Sequence, residues 1–312
     1  FAFFDVAGQI CSDLPIRNVV SWNALIAAYA ENGHSKSAFQ CLQSMELDGV
    51  FPDCISLMCV LKSCSNIRDI EKGQDIHVDI ERKGFLKSNL VIGNTLVDMY
   101  SKCGLLASAQ KVFDNLPMKD VVSWTVLIGG YAEHGHGNEA IKCFEQMQQD
   151  CISPNPVTFI CLLKACGSIR EIDKGQDLHF EIDCDGFLGD NVLVGNALVQ
   201  MYAKCGLLVK AQEVFDGLKV RNTMVWNQLL TGYSQFGEDN MVLDLFNKMI
   251  REKANPDDVT FMIVLNICSL SGLLDKGQMY FEMMNTVYGI TPTMQHYTCM
   301  VNLFSRVGHF DK

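Results

Sequence analysis

Apolar and polar positions follow a helical rhythm in this chain, and the rhythm restarts at regular intervals. In residues 19–53, Trp22, Leu25, Ile26 and Tyr29 fall on one helical face, and Ala24, Ala27 and Ala28 leave room for close packing. Gly33 predicts a helix end, because glycine adopts the left-handed conformation after a helix without strain. Ser35 is placed to cap a second helix bearing Ala38, Phe39, Leu42 and Met45. Pro52 cannot continue that helix, and Asp53 is placed to cap the next one. The segment therefore predicts a helical hairpin. No strand-type alternation persists along the chain, so the expected fold is all-α.

The same phrase returns as VVSWNALIAAY at 19–29, VVSWTVLIGGY at 121–131 and TMVWNQLLTGY at 223–233, with Trp22, Trp124 and Trp226 spaced 102 residues apart. Tyr29, Tyr131 and Tyr233 keep that spacing, as do Gly73, Gly175 and Gly277; Gly104, Gly135, Gly206 and Gly237 take the place of Gly33. A fixed long period signifies a solenoid, whose function is read from equivalent positions rather than from one cluster. Each period divides into three sub-repeats: 35 residues (19–53, 121–155, 223–257), 36 residues (54–89, 156–191, 258–293) and 31 residues (90–120, 192–222). Partial repeats of the third type open the chain at 1–18 and close it at 294–312. The chain starts and stops in mid-pattern and is expected to be a fragment, so it carries no information on a targeting peptide.

Composition narrows the picture. An apolar share of 48% supports one continuous core, and the apolar stretches are too short and interrupted to span a bilayer. A formal charge of −11 argues against non-specific nucleic-acid binding through phosphates, though not against stacking and base-edge hydrogen bonds. The 14 cysteines include no C-x-x-C pair. Cys41 and Cys143, Cys59 and Cys161, Cys64, Cys166 and Cys268, and Cys103 and Cys205 recur with the period, which points to small packing residues and a reducing compartment.

These phrases resemble pentatricopeptide repeats over essentially the whole chain. VVSWNALIAAYAENG…FPD is similar to the standard 35-residue motif, and the 35/36/31 rhythm to the plant arrangement of P, L and S repeats. KACGSIREIDKGQDLH (164–179) is similar to L repeats, and GNALVQMYAKCGLLVKAQEVFDGL (195–218) to S repeats. The tetratricopeptide pattern does not fit. The resemblance implies a right-handed α-solenoid of helix-turn-helix repeats that binds single-stranded RNA in a mitochondrion or chloroplast. It further implies C-to-U RNA editing or transcript processing, with RNA running 5′ to 3′ from the N to the C terminus.

By the same resemblance, each repeat reads one base through its fifth and last residues. The fifth residues are Asn23, Asn94, Thr125, Asn196 and Asn227, and the last are Asp53, Asp120, Asn155, Asn222 and Asp257. Asn both donates and accepts, so it suits a Watson–Crick edge, whereas Asp only accepts. The apolar second residues Val20, Val91, Val122, Leu193 and Met224 are implied to sandwich the base faces. The implied message is approximately U-N-U-A-N-Y-U. The L repeats carry Met58, Ile160 and Met262 at the fifth place, which have no amide; in the family such repeats also contact accessory editing factors. Taken alone, the last-residue Asp and Asn column also reads as ordinary helix N-caps.

Other motifs carry less. His179 and Glu181 match the H-x-E of zinc deaminases, but P-C-x-x-C is absent, and His77 and Asp79 hold the same places one period earlier. His134 and His136 read as a solvated turn, and the K-G-Q phrases read as packing between repeats. No cofactor, metal or catalytic residue is expected; a deaminase, if present, would lie beyond Lys312. The alternative to RNA binding is a protein-interaction scaffold of tetratricopeptide type, which the acidic charge slightly favours.

Overall fold

A computed structural model of the chain describes residues 17–308. The opening partial repeat therefore lies, except for Arg17 and Asn18, outside the described residues, as do residues 309–312. Every regular element among the described residues is a helix. The chain divides into two compact units, one ending at Cys161 and the other beginning at Leu162.

In the first unit, α1 (Val19–Glu31), α3 (Cys54–Ile67), α6 (Leu90–Lys102) and α8 (Val121–Glu133) pack successively against one another. Each is followed by an antiparallel partner: α2 (Ser35–Leu47), α4 (Ile70–Arg82), α7 (Leu106–Asp114) and α9 (Gly137–Gln149). The helix α10 (Pro156–Ile169) contains the unit division. In the second unit, α13 (Val192–Lys204), α15 (Thr223–Gln235), α17 (Asp258–Leu270) and α19 (Met294–Val307) form the inner succession, accompanied by α11 (Ile172–Cys184), α14 (Leu208–Gly217), α16 (Asp239–Arg251) and α18 (Leu274–Thr286). Two one-turn helices, α5 (Phe85–Ser88) and α12 (Phe187–Asp190), were not legible in the sequence. Both follow a left-handed glycine, Gly84 or Gly186, that turns the chain into them.

The helices begin where a polar side chain covers their free N–H groups. Asp53, Asp120 and Asp257 each accept from the third residue onward and share a capping box with Ser56, Ser123 and Thr260. Each such cap contributes about 1 kcal/mol. Ser35 does not act as the expected cap: His34 occupies that place without a side-chain capping hydrogen bond to the helix, and the Ser35 hydroxyl instead donates to the Ser63 carbonyl at 3.2 Å. At the other end, Gly33, Gly104, Gly135, Gly206 and Gly237 all have φ between +74° and +80°, as their place after a helix requires.

The core of each unit is built from the constant positions. Trp124 meets Phe113 edge-on at 4.7 Å, and Trp226 meets Phe215 at 4.6 Å. Burying a side chain of this size contributes about 1.5–3 kcal/mol. The K-G-Q glycines permit close helix contact: a Cβ on Gly73 or Gly175 would lie 2.6 or 2.7 Å from the sulfur of Met99 or Met201. Cys64, Cys143, Cys166 and Cys268 are buried; burial pushes the thiols of the first three up to about 12 and that of Cys268 to about 11. The other recurring cysteines, Cys41, Cys59, Cys161, Cys103 and Cys205, are only half-buried, because they sit on helix flanks or at helix ends.

Candidate functional site

The fifth residues of α1, α6, α8, α13 and α15 occupy the first turns of the inner helices. They are more enclosed than a solvent-facing residue would be: Asn23, Asn94, Thr125, Asn196 and Asn227 are only 4–8% exposed. The second residues of the same helices point the other way in burial. Val20, Val91, Val122, Leu193 and Met224 are 48–69% exposed. Ile55, Val157 and Val259 hold the equivalent places on α3, α10 and α17 and are exposed as well, although the sequence reading did not single them out. An exposed apolar residue in the first turn of each inner helix offers a flat face a surface to lie on.

Each asparagine in the fifth place meets the last residue of its own segment. Asn23 Nδ2 donates to Asp53 Oδ1 at 3.0 Å, and Asn227 Nδ2 donates to Asp257 Oδ1 at 2.9 Å. Asn196 Nδ2 reaches Asn222 Oδ1 at 3.4 Å. Thr125 and Asn155 are linked through Thr158, whose hydroxyl lies 2.7 Å from Thr125 Oγ1 and donates to Asn155 Oδ1 at 3.1 Å. All five last residues also accept a backbone N–H from the following helix, so the N-cap reading and the pairing hold together. Burial raises the Asp53 carboxyl, but hydrogen bonds from Ser56 N–H, the Asn23 side chain and the Ser56 hydroxyl outweigh it and hold it below its ordinary value. Asp120 is held down in the same way by Ser123 and Asn94. Both are carboxylates at neutral pH.

In the first unit these groups converge. An open cavity of about 550 Å³ is lined by Val91, Asn94, Asp120 and Val122, together with Met58, Lys62 and Lys102. In the second unit an equivalent cavity of about 320 Å³ is lined by Met262, Gln295 and Thr298. Met262 and Thr298 stand 204 residues after Met58 and Asn94. Thr298 was not among the expected residues; its offset from Asn94, two full periods, was the signal that would have found it. Ser56, Ser123, Thr158 and Thr260 were missed for another reason. They cap the helices locally, and the contact of Ser56, Thr158 and Thr260 with a fifth residue 33 positions earlier is visible only in three dimensions.

The distracting motifs resolve into packing. His77 Nδ1 and His179 Nδ1 each lie 2.9 Å from a tyrosine hydroxyl, of Tyr100 and Tyr202, one helix pair onward. His134 is not part of a merely solvated turn: its Nε2 lies 2.7 Å from the Ser101 carbonyl and ties two helix pairs together. Among the described residues, no three His, Cys, Asp or Glu side chains group as a metal ion would require, and no helix is long and apolar enough to cross a membrane.

The pattern has relatives. Residues 17–84, 119–168 and 221–269 match the PPR repeat family, and 94–121, 196–223 and 259–286 match the PPR repeat. The chain belongs to the PPR repeat family. A pentatricopeptide repeat-containing protein of Arabidopsis thaliana is 37% identical over 95% of this chain and 36% of its own length. A chloroplastic one from the same plant is 34% identical over 97% of the chain and 37% of its own length. A mitochondrial one is 34% identical over 95% of the chain and 43% of its own length. The chain thus spans well under half of each of these relatives. Among solved structures, maize PPR10 is similar with a TM-score of 0.54 and 21% identity, covering 99% of this chain and 50% of PPR10. PPR10 in complex with an 18-nt psaJ RNA element gives a TM-score of 0.58 and 19% identity, covering 91% of the chain and 47% of PPR10. These likenesses carry the fold: the PPR chain is an all-α solenoid of helical hairpins.

Proposed function

We propose that this PPR chain binds single-stranded RNA sequence-specifically, one base per repeat. The observation that carries the proposal is the cavity in which Asn94, Asp120, Val91 and Val122 converge. It brings together an amide, a carboxylate and two exposed apolar side chains, which are what a base edge and its two faces need. The amide and the last residue read the edge, while the apolar second residues of successive helices hold the faces. Applied from 19–53 through 223–257, the pairs read approximately U-N-U-A-N-Y-U. Met58, Ile160 and Met262 give the 36-residue repeats no hydrogen-bonding read-out, and those repeats are the proposed contacts for accessory organellar editing factors. The partition into P, L and S repeats is part of the same proposal, as is a role in directing C-to-U editing or transcript processing. Relatives named chloroplastic and mitochondrial support an organellar setting. The binding is an interaction, not catalysis, and any chemistry on the RNA would be supplied by another domain or protein.

The test is the affinity of the chain for a U-N-U-A-N-Y-U oligonucleotide against a scrambled one. The proposal expects tighter binding of the cognate RNA, with shallow salt dependence because the net charge is −11 and few phosphates are neutralised. Equal affinities would overturn it and leave a protein-interaction scaffold as the better reading.

A further inference from the structure

Asn23 and Asn227 are not held by their last residues alone. The Ser56 hydroxyl donates to Asn23 Oδ1, and the Thr260 hydroxyl donates to Asn227 Oδ1 at 2.6 Å. Each hydroxyl is the third residue of the next inner helix. The amide is therefore gripped at both ends, with its oxygen on a hydroxyl and its nitrogen on a carboxylate. Turning it over would set oxygen against the oxygen of Asp53 or Asp257, so one orientation is fixed.

Two other asparagines lack this grip. At Asn196 the equivalent third residue is Val225, which has no hydroxyl, and Asn196 Oδ1 is buried without a hydrogen-bond partner. At Asn94 the hydroxyl is present, but Ser123 Oγ donates to Asp120 Oδ1 at 2.8 Å, and Asn94 Oδ1 is again buried without a partner. For Thr125 of α8 the same place is held by Thr158 of α10, bonded to Thr125.

We infer that the third-residue hydroxyl of the following helix is a specificity determinant, a latch that commits the fifth-residue amide to one face. The inference rests on the RNA-reading proposal above. A latched amide has one Nδ2 hydrogen on the carboxylate and one left for the base. Beside it, the hydrogen bonds to Asp53 from the Asn23 amide and the Ser56 backbone N–H both fall on Oδ1, which leaves Oδ2 as an acceptor. A donor next to an acceptor complements O4 and N3–H of uracil and opposes the amino group and N3 of cytosine. Without the latch the last residue alone orients the amide: Asp120, an acceptor only, still takes the Asn94 side chain, whereas Asn196 turns to offer either end. Asn222, itself both donor and acceptor, adds to that freedom, so the repeat at 192–222 accepts either pyrimidine.

The experiment measures binding of the 312-residue chain to the seven-base RNA with U or C at the first, sixth or seventh position. Val225→Thr is expected to raise the uracil-to-cytosine affinity ratio at the sixth position at least threefold. Thr260→Val is expected to lower that ratio at the seventh position at least threefold, and Thr260→Ser to restore it. Neither variant should change the ratio at the first position, which Asn23 and Asp53 read. If the first position still prefers uracil while both variants leave their own ratios unchanged, the latch is overturned and base reading stands. If the unaltered chain prefers no base at any position, both are overturned.

Discussion

Asn227 and Asn196 are each the fifth residue of an inner helix, and the chain supports them differently. Behind Asn227 stands Trp226, fully buried and edge-on to Phe215. Before Asn196 stands Gly195, where a Cβ would strike the Leu218 side chain. Asn227 is held by Asp257 and Thr260; Asn196 has one bond of 3.4 Å and an unpaired oxygen. The same contrast separates Asn23, after Trp22, from Asn94, after Gly93. The lesson is that an identical residue in an identical column is not an identical chemical group. Its preorganisation comes from the residue before it and from a hydroxyl in the next helix.

The largest effects should come from breaking the two kinds of support. Trp226→Ala empties a fully buried site and is expected to cost about 3–5 kcal/mol in urea denaturation. Gly195→Ala forces Leu218 to move and is expected to cost about 1–3 kcal/mol by overpacking. A neutral Gly195→Ala would mean that Leu218 yields freely, and the contrast in packing would dissolve.

A smaller effect sharpens the comparison by pH. The carboxyl pKa of Asp53 is lowered in the folded chain, because its hydrogen bonds outweigh the opposing effect of burial. A lowered folded value means that its contribution to stability is complete above the unfolded value, near 3.8, and is lost as pH falls through the folded value. Asp120 behaves alike, whereas the Asn196–Asn222 pair has no carboxylate to titrate. A carboxyl titration by NMR should place the Asp53 midpoint below 3.8, and Asp53→Asn should flatten the acid limb of the stability profile. A midpoint at or above 3.8 would show that the grip on Asp53 is weaker than its geometry implies.

Much of this was legible in the sequence because the repeat made each position visible several times over. The inner helices start after Asp53, Asp120 and Asp257 as their capping chemistry predicts, and the glycines after them turn as glycine should. The failures have local physical causes. Ser35 looks like a cap but enters the helix and spends its hydroxyl on Ser63, because the tight turn after Gly33 leaves His34 in the capping place. The helices α5 and α12 are single turns, too short for any periodicity to register. The burial of the fifth residues and their hydroxyl partners depends on contacts across about thirty residues, which a linear pattern does not encode.

The central claim is that the fifth and last residues choose the base, and the segment 121–155 offers the most direct trial. Thr158 already stands where Thr260 latches Asn227. Thr125→Asn combined with Asn155→Asp therefore rebuilds the arrangement of Asn227, Asp257 and Thr260 one period of 102 residues earlier. The measurement is the relative affinity of the chain for RNA carrying A or U at the fourth position, before and after the double substitution. The account predicts that a preference for A becomes a preference for U, with each preference worth about 1–3 kcal/mol. An unchanged preference would contradict it.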